Sequence, residues 1–166
     1  MEILPANFDN YEDYHNTYIK ALTQGFVGFV PNQWINSFDK NFYEYFKNCY
    51  KDSAIEMYIC YINKNPIGVI CIDKYVTKDN TTPQALLDSI YFIKDMHGKG
   101  YAKTALSFAE SRAKILGYNK MFLWCSKENT RAWNFYTNNG YIPTTQEWND
   151  ILDGKTFHNI LFQKEL

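Results

Sequence analysis

The chain has 166 residues, of which 46% are hydrophobic and 21% charged, and this composition predicts one globular domain spanning residues 1–166. The formal net charge is −1 and no block of lysine or arginine stands out, so a nucleic-acid partner is not indicated. No apolar run reaches the ~18 residues of a membrane span, and no charged-then-apolar start suggests a signal peptide, so we expect no membrane partner.

The first half of the chain predicts a short strand, two helices and a hairpin. Residues 2–4 read as a strand that Pro5 stops, and the spacing of aromatic residues predicts a helix over 11–22. Residues 24–36 predict an apolar loop or broken helix, which either packs on the core or lines a binding cleft. Ser37 is the expected cap of a second helix reaching residue 50.

Two β-rich runs, 54–62 and 67–76, flank an Asn-Lys-Asn-Pro turn and therefore predict a hairpin. The second half then alternates strands and helices, ending in a strand pair that turns at Asp153-Gly154. We expect, in order, a strand at 86–93, a helix at 100–116, a strand at 121–125, a helix at 129–140, and strands at 141–146 and 157–163.

The predicted element order is β-α-α-β-β-β-α-β-α-β-β, which indicates an α+β fold. The run 86–93, the following helix and the run 121–125 form a βαβ unit, so the fourth and fifth strands should be parallel. We expect the rest of a twisted sheet to be mostly antiparallel, with about four helices packed against it.

The four cysteines are Cys49, Cys60, Cys71 and Cys125, and three of them lie in apolar runs. Their wide spacing predicts buried, reduced thiols of a cytoplasmic protein. No cysteine or histidine spacing resembles a metal site, so we expect no metal.

A turn of small residues lies between the expected strand at 86–93 and the helix that follows it. Its backbone N–H groups and the start of the helix dipole favour an anion such as phosphate. A tight turn without any ligand is an equally good interpretation of the glycines alone. The residues of this turn are His97, Gly98, Lys99, Gly100, Tyr101 and Ala102.

Two common phosphate motifs do not fit the turn. A dinucleotide fingerprint requires a small residue where Lys103 stands, and a P-loop requires Gly-Lys-Ser/Thr where the chain has Gly100-Tyr101-Ala102.

Two segments, together with the element order, resemble the GNAT N-acetyltransferase superfamily. The turn matches the signature Arg/Gln-x-x-Gly-x-Gly/Ala, except that His97 stands at its first position. The second segment resembles Asn-x-x-Ala-x-x-Phe-Tyr-x-x-x-Gly-Phe/Tyr; its matching residues are Asn129, Ala132, Phe135, Tyr136, Gly140 and Tyr141.

This resemblance implies that acetyl-CoA is the co-substrate. Its pyrophosphate would lie on the N–H groups from Gly98 to Ala102, and its pantetheine arm would bond the backbone near Phe92 and Ile93. A backbone N–H near Ile93 would also be the oxyanion donor, and Asn129 would contact the arm. By itself, an asparagine at the position of Asn129 is more often only a helix N-cap.

The resemblance also implies catalytic roles for Tyr136, as the proton donor at the thiol, and for Asp88, near a position where some members have a carboxylate. A solvent-facing Asp88 is the competing interpretation, Glu56 and Asp73 are weaker candidates, and a water chain needs no base at all. Histidines 15, 97 and 158 look isolated, which favours surface or structural roles.

Acceptor specificity in this family comes from the loop between the first helices and from the final hairpin. Phe26, Phe29 and Trp34 are therefore the expected acceptor-binding residues, with Trp148 beside them. Such an aromatic wall favours an apolar or cationic acceptor. The same side chains would fit a core or a homodimer interface.

The sequence thus predicts direct transfer of an acetyl group from acetyl-CoA to a primary amine of a small molecule or peptide. The alternative is a non-catalytic domain that binds acetyl-CoA as a sensor or interaction module. An unrelated protein with a fortuitous glycine turn would bind no CoA.

Overall fold

The computed structural model describes residues 1–25, 30–76, 82–152 and 154–166. Within these ranges the chain forms one seven-stranded sheet and four α-helices, in the predicted order. The strands are β1 Glu2–Pro5, β2 Glu56–Ile62, β3 Asn65–Tyr75, β4 Gln84–Phe92, β5 Lys120–Ser126, β6 Ile142–Leu152 and β7 Lys155–Glu165. The helices are α1 Tyr11–Gly25, α2 Asn32–Lys51, α3 Tyr101–Ile115 and α4 Thr130–Asn138.

The strands lie in the order β1-β2-β3-β4-β5-β7-β6, and every neighbouring pair is antiparallel except β4 and β5. This confirms the predicted mixed sheet with one central parallel pair. The hairpin between β2 and β3 turns at Asn63 and Lys64, which both have positive φ, as a two-residue turn requires.

Helix α2 begins at Asn32 rather than at the predicted cap Ser37. Pro31 holds the extended backbone that precedes a helix, and the apolar stripe already begins at Ile35. Part of the segment predicted as a loop or broken helix is therefore helical. The expected acceptor residues Phe26 and Phe29 lie outside the described residues.

Helices cover both faces of the sheet. Helices α3 and α4 pack on one face, where Ala105, Ala109 and Ala113 are each 0% exposed and let α3 approach the strands closely. Helices α1 and α2 pack on the other face through buried aromatic residues, namely Tyr14, Tyr18, Phe42 and Phe46. Much of the aromatic content therefore belongs to the core.

An ion pair fastens α3 to β2. The guanidinium of Arg112 donates to both carboxylate oxygens of Glu56, with Nη2–Oε1 at 2.6 Å and Nε–Oε2 at 3.1 Å. The hydroxyl of Tyr58 donates to the same carboxylate at 2.7 Å. Such forked, charge-assisted bonds have a defined geometry, so they fix the angle at which α3 lies on the sheet.

Candidate active site

The central parallel strands separate after two residue pairs. Ala85 pairs with Met121 and Leu86 pairs with Phe122. Beyond these pairs, β4 continues to Phe92 and β5 continues to Ser126, but the two strands no longer pair with each other. The strands diverge into a cleft of about 700 Å³, which side chains of α4 also line.

Backbone groups of β4 face this gap. The N–H of Ile93 donates to the carbonyl of Ile67 at 3.0 Å, so these residues form a hydrogen-bonded antiparallel pair. Because such pairs alternate, the N–H groups of Phe92 and Ile90 point away from β3 and into the cleft. The amide of Ile93 is thus engaged, and the free donors lie at Phe92 and Ile90.

The turn before α3 presents a cluster of free backbone donors. Among the residues that the structure describes, the N–H groups of residues 98 to 102 donate to no acceptor. Gly98 and Gly100 have φ of 75° and 84°, a conformation that suits glycine and aims these groups outward. A second hollow of about 350 Å³, lined by Gly98, Gly100, Tyr101 and Ala102, adjoins them. The turn therefore has the geometry of an anion site.

Tyr136 of α4 lines the cleft between the separated strands. Burial raises the pKa of its phenol well above the usual value, and nearby Cys125 and Tyr91 raise it further. The raised pKa keeps the hydroxyl protonated at neutral pH. Among the described residues this hydroxyl makes no hydrogen bond, so it can donate one to a ligand.

Asp88 is the extra residue of a β-bulge, because Cys71 of β3 pairs with Ser89 while the next residue, Ile72, pairs with Leu87. Its carboxyl is exposed to solvent in the cleft, yet protein atoms enclose it closely. Burial and the charge of Asp73 raise its pKa to about 6, and a hydrogen bond with Tyr45 offsets part of this rise.

Asn129 is the N-cap of α4. Its Oδ1 accepts the N–H of Ala132 at 3.1 Å, so the capping role is present in the structure. The residue also lines the cleft, and its side-chain NH₂ group donates to no acceptor among the described residues.

Three tryptophans line the same cleft: Trp34, Trp124 and Trp148. Trp34 stacks on Phe38 with ring centroids 5.4 Å apart, and Trp148 meets Trp124 edge-on at 6.2 Å. Among the described residues that line the cleft, Asp88 is the one with an acidic side chain. The lining therefore combines aromatic surfaces with a carboxyl group.

A family model described as the acetyltransferase (GNAT) family matches residues 11–141 of the chain. The chain belongs to the GNAT family. The match covers both segments on which the sequence resemblance rests.

Known relatives agree with this membership. An uncharacterized N-acetyltransferase of Methanocaldococcus jannaschii is 25% identical over 141 residues, which are 80% of this chain and 57% of the relative's length. The PaiA N-acetyltransferase of Thermoplasma acidophilum, solved with coenzyme A, superposes with a TM-score of 0.77 at 20% identity, and 100% of both chains is covered. The ribosomal-protein-alanine N-acetyltransferase of Brucella melitensis gives a TM-score of 0.74 at 13% identity, again with 100% of both chains covered.

None of the three histidines of this GNAT domain is isolated. His97 Nε2 lies 2.9 Å from the carbonyl of Phe92, and its Nδ1 lies 2.7 Å from Arg131 Nη1. His158 Nδ1 lies 2.7 Å from Glu128 Oε1, and His15 Nε2 lies 2.6 Å from Asp39 Oδ1. The side-chain partners of His97, His158 and His15 stand 34, 30 and 24 positions away, so no local pattern could have indicated these contacts.

Glu128 also accepts a hydrogen bond from Ser126, which lines the cleft at the end of β5. Burial by itself raises the pKa of Glu128, but the bonds from Ser126 and His158 prevail and lower it to about 2. Glu128 is therefore a permanently charged group beside the cleft and a poor proton acceptor.

The described residues contain no helix long and apolar enough to span a membrane. They also contain no group of three or more side chains arranged to hold a metal ion.

Proposed function

We propose that this GNAT protein transfers an acetyl group from acetyl-CoA directly to a primary amine. The free N–H groups of residues 98 to 102, at the mouth of the cleft, are the observation on which the proposal rests. Five donors without a protein acceptor need a ligand or water, and a diphosphate matches their number and polarity.

The cleft suits the remainder of the donor as well. A pantetheine arm contains two amides, and the free backbone N–H groups of Phe92 and Ile90 offer it hydrogen bonds of the kind that a further strand would make. The same N–H groups would stabilise the oxyanion that forms when the amine adds to the thioester. The proposed contact of Asn129 with this arm would use its side-chain NH₂ group.

Tyr136 and Asp88 are the proposed acid and base. Asp88 would accept a proton from the acceptor ammonium, directly or through water, which frees the nitrogen lone pair. The amine nitrogen then bonds to the acetyl carbon, the carbon–sulfur bond breaks, and the electron pair leaves on sulfur. Tyr136 would donate its proton to that sulfur, which forms the CoA thiol with its ordinary pKa of ~8.5. The nitrogen loses its second proton as the amide forms, and this proton returns to Tyr136 directly or through water. The products are therefore the N-acetyl amine, the CoA thiol and the one proton that Asp88 accepted.

The end of the cleft near Asp88 favours acceptors with apolar or cationic groups. Aromatic faces of Trp34, Trp124 and Trp148 attract cations, and Asp88 adds a negative charge once it is ionised. A small arylalkylamine or a diamine fits this chemistry better than a carboxylate-bearing acceptor.

We also place the protein in a reducing compartment such as the cytoplasm, as a single domain. The support for the location is that all four cysteines are buried free thiols.

The test combines binding and turnover. Calorimetric titration with CoA should show one site, and acetyl-CoA with a panel of amines should release free thiol only with accepted amines. Binding without any thiol release across arylalkylamines, diamines, amino acids and peptides would favour the sensor alternative. No binding at millimolar CoA would contradict the proposal.

A further inference from the structure

His97 occupies the one position where the phosphate turn departs from the GNAT signature, which has arginine or glutamine there. Its imidazole joins the end of β4, through the carbonyl of Phe92, to the start of α4, through Arg131. Residues of both elements line the cleft. The histidine therefore links two elements that form the cleft.

The contacts of His97 require one tautomer. A guanidinium can only donate, so Nδ1 accepts the hydrogen bond from Arg131 Nη1. Nε2 must then bear the proton, which it donates to the carbonyl of Phe92. The neutral ring thus holds the arginine with one hydrogen bond and is itself held by the backbone of β4.

Arg131 is an exposed cation with donors to spare. One of its five N–H groups binds His97, and no carboxylate among the described residues pairs with it. Arg131, His97 and Gly98 all line the same cleft, and the guanidinium contacts His97, the residue directly before Gly98, so it lies beside the turn with the free N–H groups.

We infer that Arg131, oriented by His97, provides the side-chain cation for the diphosphate of CoA. This inference rests on the proposed function and deepens it. Arg131 is then a phosphate-binding residue and His97 a positioning residue.

The experiment compares three ligands with the full-length protein: CoA, dephospho-CoA, which lacks the 3′-phosphate, and pantetheine, which lacks all phosphates. Arg131→Gln should weaken the affinity for CoA and for dephospho-CoA equally, by about tenfold, as expected for one exposed charge-assisted contact. Binding of pantetheine, followed by ligand-observed NMR, should not change. Lys114→Gln, at the far end of α3, is the matched control for loss of one positive charge.

Variants of His97 test its positioning role. His97→Ala should reproduce the loss seen in Arg131→Gln, and the double variant should be no weaker than either single variant, because both remove the same contact. His97→Gln should restore most of the affinity, since an amide can also donate to a carbonyl and accept from a guanidinium.

Three results would overturn the inference. Unchanged CoA affinity in Arg131→Gln would exclude the contact, and equal weakening of all three ligands would indicate a merely structural role. Weakening of CoA but not of dephospho-CoA would assign Arg131 to the 3′-phosphate instead. Failure of the proposed function is a separate outcome, because it is measured on the unaltered protein, which would then either bind none of the three ligands or bind CoA without releasing thiol from acetyl-CoA.

Discussion

Tyr136 and Asp88 face the same cleft but hold their protons in different pH ranges. The buried phenol keeps its proton well beyond neutral pH, whereas the carboxyl loses its proton near pH 6. At neutral pH the cleft thus offers one proton donor and one proton acceptor, which is the pair that the proposed acyl transfer would use.

Tyr136→Phe removes the donor and preserves the ring. We expect kcat to fall by about 10²-fold while CoA affinity stays within twofold, because the role proposed for the hydroxyl is to protonate the leaving sulfur and not to hold the bound donor. Steady-state kinetics and calorimetry measure the two quantities. Tyr118→Phe, outside the cleft, is the matched control, and an unchanged kcat in Tyr136→Phe would refute the donor role.

Asp88→Asn tests the base through pH. Since Asp88 must be ionised to accept a proton, kcat/KM of the unaltered protein should rise with pH through about 6. Asp88→Asn should abolish this rise and lower kcat/KM by about 10²-fold at pH 8.

Asp73→Asn removes a charge that raises the pKa of Asp88, so the rise of kcat/KM should move to lower pH in that variant. An Asp88→Asn enzyme with an unaltered pH profile would support a water chain.

The same carboxyl also affects stability. Its pKa is higher in the folded state than in the unfolded chain, so its ionisation disfavours folding as pH rises from about 4 to above 6. Thermal unfolding should therefore show Asp88→Asn to be more stable than the unaltered protein at pH 8. The difference should shrink as pH falls through this range and vanish near about pH 2, where the carboxyl is protonated in both states because the pH is well below the unfolded pKa of ~3.9.

At the scale of the elements, the stability of helix α4 depends on its N-cap residue, Asn129. Asn129→Ala removes the cap and should cost about 1 kcal/mol of unfolding free energy in urea titrations. Asn129→Ser keeps a capping oxygen but removes the NH₂ group, so it should fold normally and bind CoA about fivefold more weakly. Equal CoA affinity in Asn129→Ser and the unaltered protein would show that Asn129 is a cap alone.

The pairing of β3 with β4 depends on a glycine. A Cβ on Gly68 would lie 2.5 Å from Cδ1 of the Phe92 ring, which is closer than carbon atoms approach. Gly68→Ala should displace this ring at the wall of the cleft, destabilise the protein by about 1–3 kcal/mol and weaken CoA binding. Gly25→Ala, whose Cβ would meet nothing within 4 Å, controls for the substitution itself in the unfolding measurement. Equal stability of the two variants would contradict the packing argument.

At the scale of the whole molecule, the Glu56–Arg112 pair joins the helical layer of α3 to the sheet. Glu56→Gln should cost about 2 kcal/mol of unfolding free energy at pH 7, the value of a partly buried charge-assisted bond. Burial raises the pKa of Glu56, but hydrogen bonds from Arg112 and Tyr58 outweigh it and lower the pKa overall. The stabilisation is therefore present above the unfolded pKa of ~4.3 and is lost as pH falls below it. An equal cost at pH 3 and pH 7 would contradict this account.

Much of the fold and part of the site follow from local sequence. Apolar periodicity predicted every strand and helix in order, and the βαβ unit predicted the parallel pair, because these patterns depend on neighbours along the chain. The helix start at Asn32 was missed because Pro31, not a capping side chain, begins it. The glycine turn was predicted because positive φ at Gly98 and Gly100 is a local requirement.

The remaining features of the site could be identified only from the tertiary structure. The bulge at Asp88, and with it the enclosure that raises the carboxyl pKa, arises from the register between β3 and β4. The contact of His97 with Arg131 joins residues 34 positions apart and gives the unusual histidine a partner. By itself, the sequence determined the order of elements, the phosphate turn and the resemblance to the GNAT family. Only the tertiary structure decided which backbone amides are free and which side chains meet across the cleft, because those depend on contacts between distant segments.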